Sequence, residues 1–170
     1  DLDSIDLLLL DRLEAGDTRI ERHPIDKEAS DTELAVAAAV EAGATSLVLL
    51  GAMGGPRLDH ELANLLLLAD PSLAGRDVRA VRGGTTVRAL RPGEQILLSG
   101  RIGDLVSLLP VGGPAAGVTT EGLRWPLVAA TLEMGRSRGL SNVAIAAPAS
   151  VQMSGGTLLV IETASSGGIL

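Results

Sequence analysis

Two textures of hydrophobic and polar positions divide the chain. In the first 75 residues apolar side chains recur at helical spacing, and after that short alternating runs sit between glycines and prolines. Ile5, Leu8, Leu9 and Leu13 form the apolar face of a first predicted helix, capped by Ser4 and stopped by Gly16. Thr18 to Arg22 reads as a short strand. Ser30 and Glu33 form an S-x-x-E capping box, whose side chains satisfy the first free N–H groups of a helix running to Gly43. Ser46 to Leu50 is a continuous apolar run, the pattern of a parallel-sheet strand buried on both faces. A glycine-rich turn, Gly51 to Pro56, leads into a helix from Leu58 to Ala69. Helix, strand, helix, strand, helix is an α/β order, with ligands expected at the carboxyl ends of the strands.

The second half reads as β. Val78 to Arg82, Thr85 to Leu90, Gln95 to Leu98, Leu105 to Leu109, Val118 to Trp125 and Thr157 to Thr163 are the strand candidates. Arg-Pro-Gly, Gly-Gly-Pro and Ser-Gly-Gly turns separate them, the spacing of a sandwich. A boundary near Gly75 is expected, with residues 1–75 forming an α/β domain and 76–170 an all-β domain.

Charge divides at the same place. Residues 1–75 carry 15 acidic and 5 basic side chains, and residues 76–170 carry 6 acidic and 9 basic, which gives the chain its net charge of −7. An acidic chain of 170 residues whose single aromatic residue is Trp125 lacks both the cations and the stacking rings that nucleic acid demands. The absence of cysteine excludes disulfides, Cys-ligated zinc and thiol catalysis. No apolar run approaches the roughly 20 residues of a membrane span.

Four stretches carry candidate chemistry. Asp1-Leu2-Asp3-Ser4 opens the chain, and in an extended segment Asp1 and Asp3 point to one side. Two carboxylates so placed suit Mg²⁺, although Asp3 and Ser4 also serve as ordinary helix caps. The only lysine, Lys27, stands with Glu28, Ser30, Asp31 and Glu33 at a helix start, where free N–H groups and the dipole favour phosphate. Gly51-Ala52-Met53-Gly54-Gly55-Pro56-Arg57-Leu58-Asp59-His60 follows a strand and enters a helix. Its glycines let a phosphate approach the backbone and Arg57 offers a forked donor, yet it is neither a P-loop nor a dinucleotide fingerprint. Gly139-Leu140-Ser141-Asn142 is a polar turn offering a hydroxyl and an amide, which turn chemistry alone also produces. His60 reads as a helix-face residue, and His23 has no partner in view. Together these are parts for Mg²⁺-dependent transfer of a phosphoryl or pyrophosphoryl group.

In this order the motifs resemble the thiamine pyrophosphokinase family. Asp1 to Ser4 is similar to that family's G-D-x-D-S without its leading glycine, and Lys27 to Leu34, after His23-Pro24, to K-D-x-T-D-x-E-L. Gly51 to His60 resembles G-A-x-G-G-R-x-D-H, with Pro56 as an extra residue before Arg57. Ser107 to Val111 resembles S-L-L-P, Gly122 to Leu127 G-L-x-[YW]-P-L, and Gly139 to Asn142 G-x-S-N. Glu28 and Ser30 stand where the family usually has Asp and Thr, and no aromatic follows Asn142.

The resemblance implies a Rossmann-like parallel-sheet domain followed by a β-sandwich. It implies an enzyme converting ATP and thiamine to AMP and thiamine diphosphate with Mg²⁺. By analogy Asp1, Asp3 and Asp31 bind Mg²⁺ and phosphate, and one of them takes the thiamine hydroxyl proton. Lys27, Ser30, Arg57 and Asp59 lie around the ATP phosphates, and Ser141 and Asn142 on the thiamine side. It also implies a cytoplasmic homodimer whose site lies between one subunit's α/β domain and the other's sandwich. The family begins with a strand–helix segment bearing Asp-Gly-Gly that does not precede Asp1 here. The expectation is therefore a sheet without its leading strand, exposed apolar surface and little activity from this polypeptide by itself. Two rivals stand beside this reading. One is a module that binds nucleotide or thiamine without turnover. The other is a haloacid-dehalogenase-type phosphatase, for which Lys27 lies too close to the D-x-D motif and no Asp-Asp pair follows.

Overall fold

The structure, a computed structural model, describes residues 5–16 and 18–165. Among the described residues three helices, α1 (Leu7–Glu14), α2 (Asp31–Glu41) and α3 (Leu58–Leu67), and a 3₁₀ turn at Pro71–Leu73 accompany ten strands. The strands are β1 (Ser46–Leu50), β2 (Asp77–Arg82), β3 (Thr85–Leu90), β4 (Gln95–Leu97), β5 (Leu105–Pro110), β6 (Ala115–Glu121), β7 (Ala130–Leu132), β8 (Asn142–Val143), β9 (Ser150–Gln152) and β10 (Leu158–Thr163). They form a six-stranded sheet, β1-β2-β3-β10-β5-β8, and a four-stranded sheet, β4-β9-β6-β7.

The large sheet is mixed. Only β1 and β2 run parallel, with Leu50 opposite Val81; β3, β10, β5 and β8 are antiparallel to their neighbours. This differs from the parallel sheet read from the sequence, because β2 was counted with the second half, and the sheet passes through the composition change at Gly75 without a break. Period-two alternation explains how the sheet serves two cores. In β10, Leu158 and Val160 join a cluster with Val118 and Val151 of the small sheet. Leu159 and Ile161, on the opposite face, pack with Val36 of α2, Leu68, Leu73, Val78 and Val87.

Glu162 ends this pattern as a buried charge on β10. Its carboxylate accepts from Arg88 Nη2 of β3 at 2.5 Å and from the backbone N–H groups of Ser99 at 2.7 Å and Gly100 at 3.0 Å. Pairing and hydrogen bonding of this kind are what a carboxylate needs inside a protein.

Three local expectations change. Thr18 to Arg22 forms no strand, having no neighbouring strand to receive its hydrogen bonds among the described residues. The first helix is capped by Asp6, whose carboxylate accepts from Leu9 N at 3.0 Å, and Leu7 and Leu8 are exposed; Ser4 lies outside the described residues. Strand β1 is buried on one face only. Leu49 packs towards the helices, while Val48 and Leu50, 50% and 75% exposed, lie on an open face at the sheet edge.

Candidate active site

The carboxyl end of β1 delivers the chain into the glycine turn, and the N-terminus of α2 meets it. Ser30 caps α2, its hydroxyl accepting from Glu33 N at 3.2 Å, half of the capping box expected from sequence. The cap leaves Asp31 in the first helical turn. Asp31, Thr32, Leu50, Gly51 and Ala52 line a cavity of about 420 Å³ between the helix start and the strand end. Lys27 pairs with Asp31 one turn earlier. The Lys27 ammonium holds the Asp31 carboxyl below the usual carboxylate range. Asp31 thus stays ionised across the neutral range.

The glycine turn ends at Arg57, the N-cap residue of α3, whose side chain makes no cap bond. Its guanidinium instead grips Asp59, Nε donating to Oδ1 at 3.0 Å and Nη2 to Oδ2 at 2.6 Å. This pairing lowers the Asp59 carboxyl to about 2. Within the turn, Gly51 and Gly54 have φ of +76° and +82°, a region closed to most side chains, so the glycines are required by conformation. Asn64 of α3 fastens the turn by donating to the Ala52 carbonyl at 3.1 Å.

A second cavity, of about 530 Å³, opens in the other half. Leu108, Trp125, Pro126, Arg138, Ser141 and Asn142 are among its lining residues, and none of its lining residues also lines the first cavity. Its shape depends on two tight positions. At Gly139 a Cβ would stand 2.2 Å from the Leu108 carbonyl oxygen, so only glycine lets this turn lie on β5. Ser141 follows in the left-handed region at φ +56°, its N–H donating to Ser107 Oγ at 3.0 Å.

Asn142 has a different position from the one its motif suggests. It is buried, its Oδ1 accepting from Trp125 N at 3.1 Å and its Nδ2 donating to Trp125 O at 2.7 Å. The amide is committed to holding Trp125. The indole itself is 57% exposed on the cavity wall, with the Arg124 guanidinium 5.7 Å from its ring centre. Trp125 lies within the Gly122 to Leu127 stretch without a site role assigned from sequence; its signal is its standing as the sole aromatic side chain.

The structure therefore places Asp31 at one cavity with Lys27 and Ser30 next to Asp31, Arg57 and Asp59 where the glycine turn enters α3, and Ser141 and Asn142 at the other cavity. Asp1 and Asp3 lie outside the described residues. Among the described residues no group of three acidic or histidine side chains gathers into a metal site. Asp31 alone offers an exposed, ionised carboxylate at the cavity, which fits Mg²⁺, an ion that takes one or two carboxylates and completes its shell with phosphate and water.

Comparison with known proteins bears on both halves. Residues 1–79 match the family described as "Thiamin pyrophosphokinase, catalytic domain", and residues 94–158 match "Thiamin pyrophosphokinase, vitamin B1 binding domain". The chain belongs to the thiamine pyrophosphokinase family. It is 24% identical over 163 residues to the thiamine pyrophosphokinase of Bacillus subtilis, covering 96% of this chain and 76% of that protein. It is 33% identical over 121 residues to thiamine pyrophosphokinase 2 of Oryza sativa, covering 68% of this chain and 43% of that one. The crystal structure of thiamin pyrophosphokinase from Geobacillus thermodenitrificans superposes with a TM-score of 0.78 at 28% identity, over 99% of this chain and 77% of that one. The mixed sheet and the second antiparallel sheet are thus the architecture of thiamine pyrophosphokinases.

Proposed function

We propose that this protein transfers the pyrophosphoryl group of ATP to thiamine, giving AMP and thiamine diphosphate. The observation that carries the reading is the pairing of two matched halves with two different cavities. One is bounded by Asp31, Thr32, the apolar residues of β1 and the start of the glycine turn; the other presents an exposed indole beside a serine turn. In the reaction the thiamine hydroxyl oxygen bonds to the β-phosphorus, and the bond from that phosphorus to the α,β-bridging oxygen breaks. The hydroxyl proton is released and AMP departs with the bridging oxygen.

Asp1, Asp3 and Asp31 are the acidic set that would hold Mg²⁺. The ion supplies charge neutralisation for the phosphate chain. A carboxylate kept ionised by Lys27 is suited to holding a cation and poorly suited to accepting a proton. Lys27, Ser30, Arg57 and Asp59 surround the phosphates, Arg57 turning from Asp59 to the nucleotide as a forked donor. On the thiamine side Ser141 offers its hydroxyl and Trp125 its ring, against which a flat cationic heterocycle stacks. Asn142 acts through Trp125.

Two cavities without a shared lining residue are the arrangement expected when each complete site draws on two subunits, so we assign a homodimer in which one subunit's ATP cavity faces its partner's thiamine cavity. We place the enzyme in the cytoplasm, as the family resemblance implies. The direct test is chromatography of nucleotides after incubation with Mg²⁺, ATP and thiamine. AMP and thiamine diphosphate formed in equal amounts support the reading. ATP hydrolysis that ignores thiamine overturns it.

A further inference from the structure

Arg82 is the last residue of β2, and no strand motif in the sequence marks it out. The parallel register sets Leu50 opposite Val81, so Gly51 and Arg82 leave the sheet side by side at its carboxyl edge, the edge where α/β proteins take ligands. An arginine at a strand end ordinarily extends into water. This one folds back onto the glycine turn: a Cβ built on Gly54 would stand 2.0 Å from Arg82 Cζ and 2.3 Å from both Nε and Nη1. The guanidinium therefore occupies the space that a side chain at residue 54 would fill. Gly54 is needed twice, for its φ of +82° and for this contact.

The neighbouring cations are already engaged. Arg57 is held two-pronged by Asp59, and Lys27 is paired with Asp31. Among the ion pairs of the described residues none includes Arg82. A permanently charged fork laid on a glycine turn, with no carboxylate to neutralise it, is the donor geometry that phosphate oxygens select. Gly54 belongs to the strongly acidic first 75 residues, so a cation laid on it also offsets the repulsion that a polyphosphate would meet.

We propose that Arg82 binds the phosphate chain of the nucleotide, as a second forked donor beside Arg57, and that Gly54 exists to seat it. This rests on the nucleotide reading given above, and it adds a residue that the family motifs do not contain. The glycine turn then does more than open the backbone to phosphate: it positions a guanidinium from the adjacent strand.

Isothermal titration with Mg²⁺ and α,β-methylene-ATP, whose carbon bridge blocks the transfer, tests this on the protein and on R82A, R82K and G54A. R82A weakens binding of the analogue and of inorganic tripolyphosphate at least about tenfold, leaves thiamine affinity unchanged, and R82K regains part of the loss. G54A, whose methyl displaces the guanidinium, loses nucleotide affinity in the same direction while R82A keeps the wild-type melting temperature. Nucleotide affinity of R82A within about twofold of wild type overturns the inference while leaving the functional reading intact. A wild-type protein that binds neither the analogue nor thiamine overturns both.

Discussion

At the residue scale, two side chains divide the work between charge and shape. Asp31 sits where a helix start and a strand end converge, ionised by its Lys27 neighbour. Its folded-state carboxyl lies below the ordinary value, so the contribution of the pair is complete above that ordinary value and disappears only as pH falls through the lowered one. Protonation of Asp31 consequently cannot produce an activity loss between pH 5 and 8. Asp31→Asn keeps the shape and removes the charge; kcat/KM for thiamine-dependent AMP formation falls by at least about 100-fold, and the melting temperature falls slightly as the Lys27 pair is lost. Trp125 is the other. As the only aromatic residue its fluorescence reports on one place, and thiamine quenches it. Trp125→Ala weakens thiamine binding roughly tenfold in calorimetry without changing affinity for the ATP analogue, and Trp125→Phe recovers part of it.

At the scale of elements, local signals survived where the chain itself supplies the partner. The Ser30 capping box, the β1 run and the glycine turn were legible because cap, hydrophobic period and positive φ are properties of a few adjacent residues. Thr18 to Arg22 has the composition of a strand and no ladder to join, a fact set by distant residues. The short strands β7, β8 and β9 escaped notice for the complementary reason: two or three residues carry no period, and their pairing comes from β6, β5 and β4. Asn142 shows the same limit within a site. Its motif was readable, but its partner, the Trp125 backbone 17 positions away, was not. Asn142→Ala leaves the Trp125 N–H and C=O without those partners beside a buried side chain. Urea unfolding should show a loss of about 2–3 kcal/mol, with thiamine affinity falling as the indole loses its anchor.

At the scale of the molecule, the composition change at Gly75 separates two charge characters, yet one sheet runs through it, and Glu162 and Arg88 tie that sheet to the loop after β4. The Asp31 and Trp125 cavities sit in the two halves and share no lining residue, so the proposed homodimer predicts complementation between subunits. At thiamine concentrations too low to saturate the Trp125→Ala protein, mixing it with the Asp31→Asn protein and allowing subunits to exchange restores about a quarter of wild-type turnover, since half the dimers are mixed and each holds one intact site. No recovery on mixing argues for a site within one subunit. An intact pyrophosphoryl unit is expected to pass from ATP to thiamine. ³¹P nuclear magnetic resonance follows it most directly, with protein at concentrations comparable to substrate so that slow turnover is sufficient. The three ATP resonances should decline in step with the growth of an AMP singlet and the coupled pair of thiamine diphosphate, and only with thiamine present. Appearance of ADP or orthophosphate in place of that pair, or ATP left unchanged, would contradict it.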